Sequence, residues 1–172
     1  MTAAVKIRIL KQASYEDLTT LQKVIEAAPS YWMRISARLP GRNAAEETFK
    51  ALPDGKSYVD KFVLGVFDSE GAMIGCADLI RGFPNEETAM LGLLLISEPA
   101  QKKGYGKLTY EGIERLILSW KEIRKIRIGV IGTNEVVLPF WKSLGFLETG
   151  LRRPYEENGV ISENIILEKA VS

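Results

Sequence analysis

Hydrophobic positions along the chain recur with two spacings, and each change of spacing marks a new element. KIRILKQ near the start predicts a first strand. SYEDLTTLQKVIEAA takes the helical period, with Ser14 and Asp17 at capping-box spacing. A second helical region runs through YWMRISARL and NAAEETFKAL, interrupted by Pro40 and Gly41. KFVLGVFD and AMIGCADLIR flank Ser69-Glu70-Gly71 and predict a hairpin. TAMLGLLLIS is apolar on both faces, the pattern of a central strand. GKLTYEGIERLILSWKE predicts a long helix, KIRIGVI a strand, and VVLPFWKSLG a helix ending at Gly145. FLETGL and ISENIILEKA close the chain as strands.

Strands and helices are interleaved, with no repeats, low-complexity tracts or linkers, so residues 1–172 are expected to form a single α/β domain. A length of 172 residues, 46% hydrophobic and 26% charged, suits one globular unit, and the apolar runs are too short to cross a bilayer. MTAAVKIRILKQ lacks the basic start, apolar middle and cleavage site of a secretory signal. A cytoplasmic location without membrane association is therefore expected. With 23 Lys and Arg against 22 Asp and Glu, no whole-molecule field attracts nucleic acid, and no nucleic-acid-binding module is recognisable.

The chain has no histidine and one cysteine, Cys76. Ser-His-Asp and Cys-His catalysis are excluded, as is a zinc site built from His and Cys; carboxylates alone could still hold magnesium, but no metal is expected. Cys76, within IGCADLI, reads as a small buried hydrophobe.

Candidate chemistry concentrates in ISEPAQKKGYGK, residues 96–107, where a strand enters a glycine-containing turn that launches a helix. Backbone N–H groups and the positive end of the helix dipole converge there, which suits an anion. Gly104 and Gly106 allow close backbone approach, Lys102, Lys103 and Lys107 add local charge, and a pyrophosphate fits best. The P-loop pattern fails because Gln101 stands at its first glycine and Leu108 follows Gly106-Lys107. The dinucleotide pattern fails because Thr109 stands at its third glycine. A third pattern, Gln/Arg-x-x-Gly-x-Gly/Ala, matches Gln101-Lys102-Lys103-Gly104-Tyr105-Gly106 at every fixed position. With NEVVLPFWKSLGF beginning at Asn134, and with the order of elements from Lys6 to about Lys169, the chain resembles the GNAT superfamily of acetyl-CoA-dependent N-acetyltransferases.

The resemblance implies a mixed, mostly antiparallel central sheet splayed at the fourth strand, with helices on both faces. It implies acetyl-CoA as co-substrate, held by Gln101 and the main chain of Lys102, Lys103, Gly104, Tyr105, Gly106 and Lys107. The pantetheine arm would pair with backbone groups of Leu94, Leu95 and Ile96, one of whose amides would stabilise the oxyanion. Asn134 would contact the coenzyme arm; capping the following helix is its alternative reading.

Two positions depart from the family pattern. Trp141 stands where many members carry a tyrosine acid, and Gly129 where some place a glutamate base. A positioned acid or base contributes about 10²–10⁴-fold, so the losses slow a transfer rather than abolish it. Asp78 and Tyr155 are the replacement candidates for proton transfer, against the plainer readings of a solvated strand-edge carboxylate and a loop aromatic. Tyr31, Trp32 and Arg81 are candidates for the acceptor wall, against core packing and a solvated strand end. Glu98 is a candidate for capping the coenzyme turn, and Trp141 for packing on the coenzyme arm or pocket wall.

The leading expectation is an enzyme that moves an acetyl group from acetyl-CoA to a primary amine of a small molecule or peptide by direct attack in a ternary complex. The alternative is a non-catalytic acyl-CoA-binding sensor or regulatory module. Dimerisation is common among relatives, and the sequence carries no marker that decides it.

Overall fold

The computed structural model of the chain describes residues 2–171. Strands β1 (Lys6–Ile9), β2 (Lys61–Phe67), β3 (Met73–Arg81), β4 (Thr88–Ile96), β5 (Lys125–Ile131), β6 (Leu147–Glu157) and β7 (Val160–Ala170) form one sheet. Their order is β1-β2-β3-β4-β5-β7-β6, and every neighbouring pair is antiparallel except β4 with β5. Five helices flank the sheet: α1 (Tyr15–Glu26), α2 (Pro29–Ser36), α3 (Ala44–Lys50), α4 (Tyr105–Leu118) and α5 (Leu138–Ser143). None of the described helices is long and apolar enough to cross a membrane.

Alternation along the strands divides the core into two layers. One face of the sheet buries Leu64, Leu79, Leu91, Ile128 and Leu167 against Tyr110, Ile113 and Ile117 of α4 and Trp141 of α5. The other buries Val63, Cys76 and Leu95 against Leu21, Val24 and Ile25 of α1 and Phe49 of α3. Cys76 is fully buried there, and burial pushes its thiol up to about 12, so it is the inert small hydrophobe that its apolar neighbours predict.

Two irregularities shape the middle of the sheet. Asp78 faces Leu93 while Leu79 faces Leu91, so Gly92 has no partner and forms a bulge in β4. Strands β4 and β5 pair only over Thr88–Met90 and Lys125–Arg127. Beyond that point β4 stays with β3 and β5 with β7, and the sheet opens at its fourth strand.

The last hairpin departs from the sequence expectation. Strand β6 continues through Arg152, Arg153, Pro154 and Tyr155, where an end after FLETGL and a loop were expected. Its residues are exposed apart from half-buried Tyr155, so no apolar alternation announces it. Pairing with β7 across Asn158-Gly159, both at positive φ, holds it in place, and that dipeptide is the signal that marks the hairpin.

Helix α1 carries half of the expected capping box: Ser14 Oγ accepts from the Asp17 N–H at 3.2 Å. The Asp17 carboxylate serves a different purpose, accepting from Arg8 Nη2 at 2.9 Å and from the Lys11 N–H at 2.8 Å, which pins β1 to α1. The Arg8 hydrogen bond, ahead of the opposing effect of burial, holds this carboxyl below the usual carboxylate range. A depressed pKa means that the stabilisation is present above the unfolded value of about 3.9 and is lost as pH falls through the folded one. Asp17→Asn is therefore expected to destabilise the protein by about 1 kcal/mol at pH 7, Arg8 being half exposed, with the difference from wild type shrinking in urea titrations below pH 4.

Candidate active site

Past Met90 the edge of β4 that faces β5 has no strand partner. The Ser97 N–H donates to Ile74 C=O at 2.9 Å, which fixes the phase of the β3–β4 ladder. By alternation Leu93 and Leu95 also direct their backbone groups to β3, whereas Leu94 and Ile96 direct theirs into the opening. Leu95 therefore drops out of the expected backbone trio: its main chain is committed to β3 and its side chain to the α1 layer. The outward Ile96 carbonyl accepts from Gln101 Nε2 at 2.8 Å, so Gln101 braces the start of the turn to the open edge of β4.

That turn delivers a second set of unpaired amides. Lys102 has φ +62° and Gly104 φ +83°, a left-handed kink that lifts the chain out of a short 3₁₀ turn at Glu98–Ala100 and starts α4. The first bond of the helix is from the Leu108 N–H to Gly104 C=O, so the N–H groups of Tyr105, Gly106 and Lys107 precede any intrahelical partner, and no side chain caps them. A Cβ on Gly104 would meet nothing within 4 Å, whereas one on Gly106 would stand 3.4 Å from the Phe140 ring. Phe140 of α5 thus packs beside the turn at a distance a Cβ would tolerate, and Gly104 leaves the turn open to a ligand. Lys102, Lys103 and Lys107 are exposed around it. Free amides, a helix N-terminus and three ammonium groups suit a diphosphate.

Residues 132–137, a 3₁₀ segment, lead into α5. Asn134 is buried there, and its Oδ1 lies 3.4 Å from Arg34 Nη1 of α2. It does not cap α5, whose N-cap is Val137, which removes the capping alternative. Trp141 is 8% exposed and packs edge-on against Tyr110, Phe140 and Phe146, with ring centroids 5.1–6.1 Å apart. It belongs to the core that supports α5.

The remaining candidates fall into two groups. Asp78 is tied to Lys61 Nζ at 2.8 and 2.9 Å, with Lys61 only 3% exposed. Burial raises the Asp78 pKa and the ammonium opposes it, so this carboxylate is neither in water, as the plainer reading had it, nor free. Arg81 sits at the closed end of the sheet opposite Ala89, paired with Asp60 and stacked over Phe62 and Trp120. Its distance along β3 from the opening takes it out of the acceptor wall. Glu98 accepts from the Ser30 N–H at 2.8 Å, so it caps α2 rather than the coenzyme turn.

Tyr31, Trp32 and Tyr155 gather on the α2 side of the opening. Trp32 Nε1 donates to Ile25 C=O at 2.9 Å, and the two aromatic rings of α2 meet edge to face at 4.9 Å over the Cys76 and Leu95 layer. Burial raises the Tyr31 phenol to about 12. Tyr155 lies in β6, not in a loop, and its hydroxyl donates to Ile35 C=O at 2.7 Å, tying the hairpin to α2. Gly129, on β5 beyond the last residue paired with β4, is covered by the carboxamide of Asn164.

The sequence pattern described as the acetyltransferase (GNAT) family matches residues 21–146. No curated protein sequence matches the chain. Among solved structures, an acetyltransferase from Thermus thermophilus is similar, with a TM-score of 0.74, 22% identity and 99% of each chain covered. Spermidine N-acetyltransferase from Vibrio cholerae, in complex with CoA and spermine, gives a TM-score of 0.73 at 18% identity, covering 96% of this chain and 95% of that one. The ribosomal-protein-S18-alanine N-acetyltransferase from Escherichia coli gives 0.69 at 18% identity, covering 98% and 94%. Identities this low speak for the fold alone.

The Lys61–Asp78 pair gives a direct test of how the polar groups beside the opening are committed. Lys61→Met should cost about 3–5 kcal/mol by leaving a carboxylate buried without its cation, and Lys61→Met with Asp78→Leu should recover most of that in urea denaturation. Equal stability of wild type and Lys61→Met would show that Asp78 is solvated.

Proposed function

Because the chain belongs to the GNAT acetyltransferase family, we propose that it moves an acetyl group from acetyl-CoA onto a primary amine by direct attack in a ternary complex. One observation carries the reading: the outward backbone groups of Leu94 and the Ile96 N–H, without a strand partner, lie beside the unpaired amides of Tyr105, Gly106 and Lys107. The first can pair with the amide-bearing pantetheine arm and the second can hold the pyrophosphate. The neighbours from Vibrio cholerae and Escherichia coli are named for spermidine and for a protein alanine, both amines, which supports an amine acceptor.

In the reaction the amine nitrogen attacks the thioester carbonyl, the C–N bond forms, and the C–S bond breaks with its electron pair leaving on the CoA thiolate. The proton shed by nitrogen goes to solvent or to the thiolate. An outward N–H of Leu94 or Ile96 stabilises the oxyanion, a contribution of a few kcal/mol, and alignment of the two reactants supplies much of the remainder. Direct transfer is supported by the state of Cys76, which is fully buried with a raised pKa and cannot carry the acetyl group. Trp141 has no acidic proton to give, Asp78 is held by Lys61, and the Tyr155 hydroxyl is engaged with Ile35. Proton transfer by this chain's own side chains is thereby left out of the mechanism.

Calorimetric titration with acetyl-CoA, paired with an assay of thiol release across a panel of amines, tests the reading. Wild type is expected to bind, and a Gly104→Asp, Gly106→Asp variant, with two carboxylates in the anion cradle, to bind at least about tenfold more weakly. Binding without thiol release for any amine would favour the acyl-CoA sensor, which Trp141 and Gly129 motivate. Equal binding by the variant would move the donor site elsewhere.

A further inference from the structure

We propose that α2 is a strap across the mouth of the opening, hinged through Glu98 on the β4 side and latched by Arg34 and Tyr155 on the β5 and β6 side, and that it closes over the acceptor side when CoA fills the opening; this rests on the transferase reading. Helix α2 buries none of its side chains completely. Its apolar hold on the fold comes from two half-buried rings, Tyr31 and Trp32, on the Cys76 and Leu95 layer. The rest of the hold is a few single hydrogen bonds, and these reach the ends of the two strands that separate.

At the start of α2 the grip is double. The Glu98 N–H donates to Ala27 C=O at 2.8 Å, and the Glu98 carboxylate accepts from the Ser30 N–H at 2.8 Å, in place of the cap that the Ala28 side chain cannot supply. Ser30 first, and Arg34 after it, hold this carboxyl below the usual carboxylate range, so at neutral pH an anion faces the positive end of the helix. Glu98 opens the 3₁₀ turn that follows β4, and Gln101 at the end of that turn is bonded back to Ile96. The hinge of α2 is therefore part of the braced segment that leads into the turn starting α4.

One turn further along α2, Arg34 Nη1 lies 3.4 Å from Oδ1 of Asn134, in the segment that follows β5, and the Tyr155 hydroxyl donates to Ile35 C=O at 2.7 Å. The helix thus bridges the carboxyl ends of β4 and β5, the pair that parts past Met90 and Arg127. The latch is the weaker end, because one of its bonds is long and the other comes from a strand at the edge of the sheet. Beyond it Ala37 takes φ +49°, and residues 37–43 form neither helix nor strand, which gives the far end of α2 room to swing. With a ligand lying between β4 and β5, the spacing of the two ends that the strap joins is fixed, and the closed state is favoured.

Hydrogen exchange on wild type, Tyr155→Phe, Glu98→Ala and Glu98→Gln, each with and without CoA, tests the strap. The amides of residues 33–37 should exchange faster than the interiors of α1 and α4, and CoA should slow them at least about fivefold in wild type. Tyr155→Phe, which removes one hydrogen bond, should speed them about fivefold while α1 and α4 stay unchanged. Glu98→Ala should bind CoA yet lose most of the protection that CoA confers on α2, and Glu98→Gln, whose side-chain oxygen still accepts from Ser30, should keep it. Thiol release from acetyl-CoA is measured with n-butylamine, spermidine and the tripeptide amide of alanine. At saturating acetyl-CoA, Glu98→Ala should raise KM several-fold for whichever of these wild type acetylates, and Glu98→Gln should restore it. The proposal is overturned if α2 exchanges together with α1, if CoA binds without protecting α2, if Tyr155→Phe leaves α2 at the wild-type rate, or if CoA protects α2 equally in wild type and Glu98→Ala. Protection by CoA without thiol release for any of the three amines would leave the strap and sink the transferase reading; thiol release with no change in α2 would do the reverse.

Discussion

The parallel contact between β4 and β5 is the constraint on which the rest of the molecule depends. Parallel neighbours cannot be joined by a tight turn, so the chain must leave β4, cross a face of the sheet and return, and α4 is that crossover. The crossover begins where β4 ends, which sets the N-terminus of α4 beside the last residues of β4. Because the two strands pair over only a few residues before separating, that same end of β4 keeps a free edge. A row of unpaired backbone groups inside a sheet is ordinarily a liability. Here it lies beside the free amides of a helix start, so unpaired main chain of two elements is brought to one place.

Packing holds these elements in place. Phe140 packs beside Gly106 at the turn, and the Tyr110, Trp141 and Phe146 rings lock α5 to α4 and the sheet. On the other face Tyr155 ties β6 to α2, and Glu98 ties the approach to the turn back to the start of α2. The polar side chains near the opening are mostly spent on such ties. What the opening leaves unpaired is therefore mainly main chain.

Features that depend on local spacing were legible in the chain before any fold was known. The apolar run of TAMLGLLLIS, the Gln101 to Gly106 pattern and the Asn134 to Phe146 segment each carry their meaning within about a dozen residues, and together they located the central strand, the turn that starts α4, and α5. The extent of β6 was not legible, because an exposed edge strand needs no apolar alternation and takes its conformation from β7 through hydrogen bonds. Which candidate side chains are free to act was settled by tertiary contacts. The pairing of Asp78 with Lys61, the Arg81 contacts with Asp60 and Trp120, and the placement of Asn164 over Gly129 all join residues far apart in the chain. Such contacts follow from strand register and helix docking, and a one-residue slip in register would turn each of them to the opposite face.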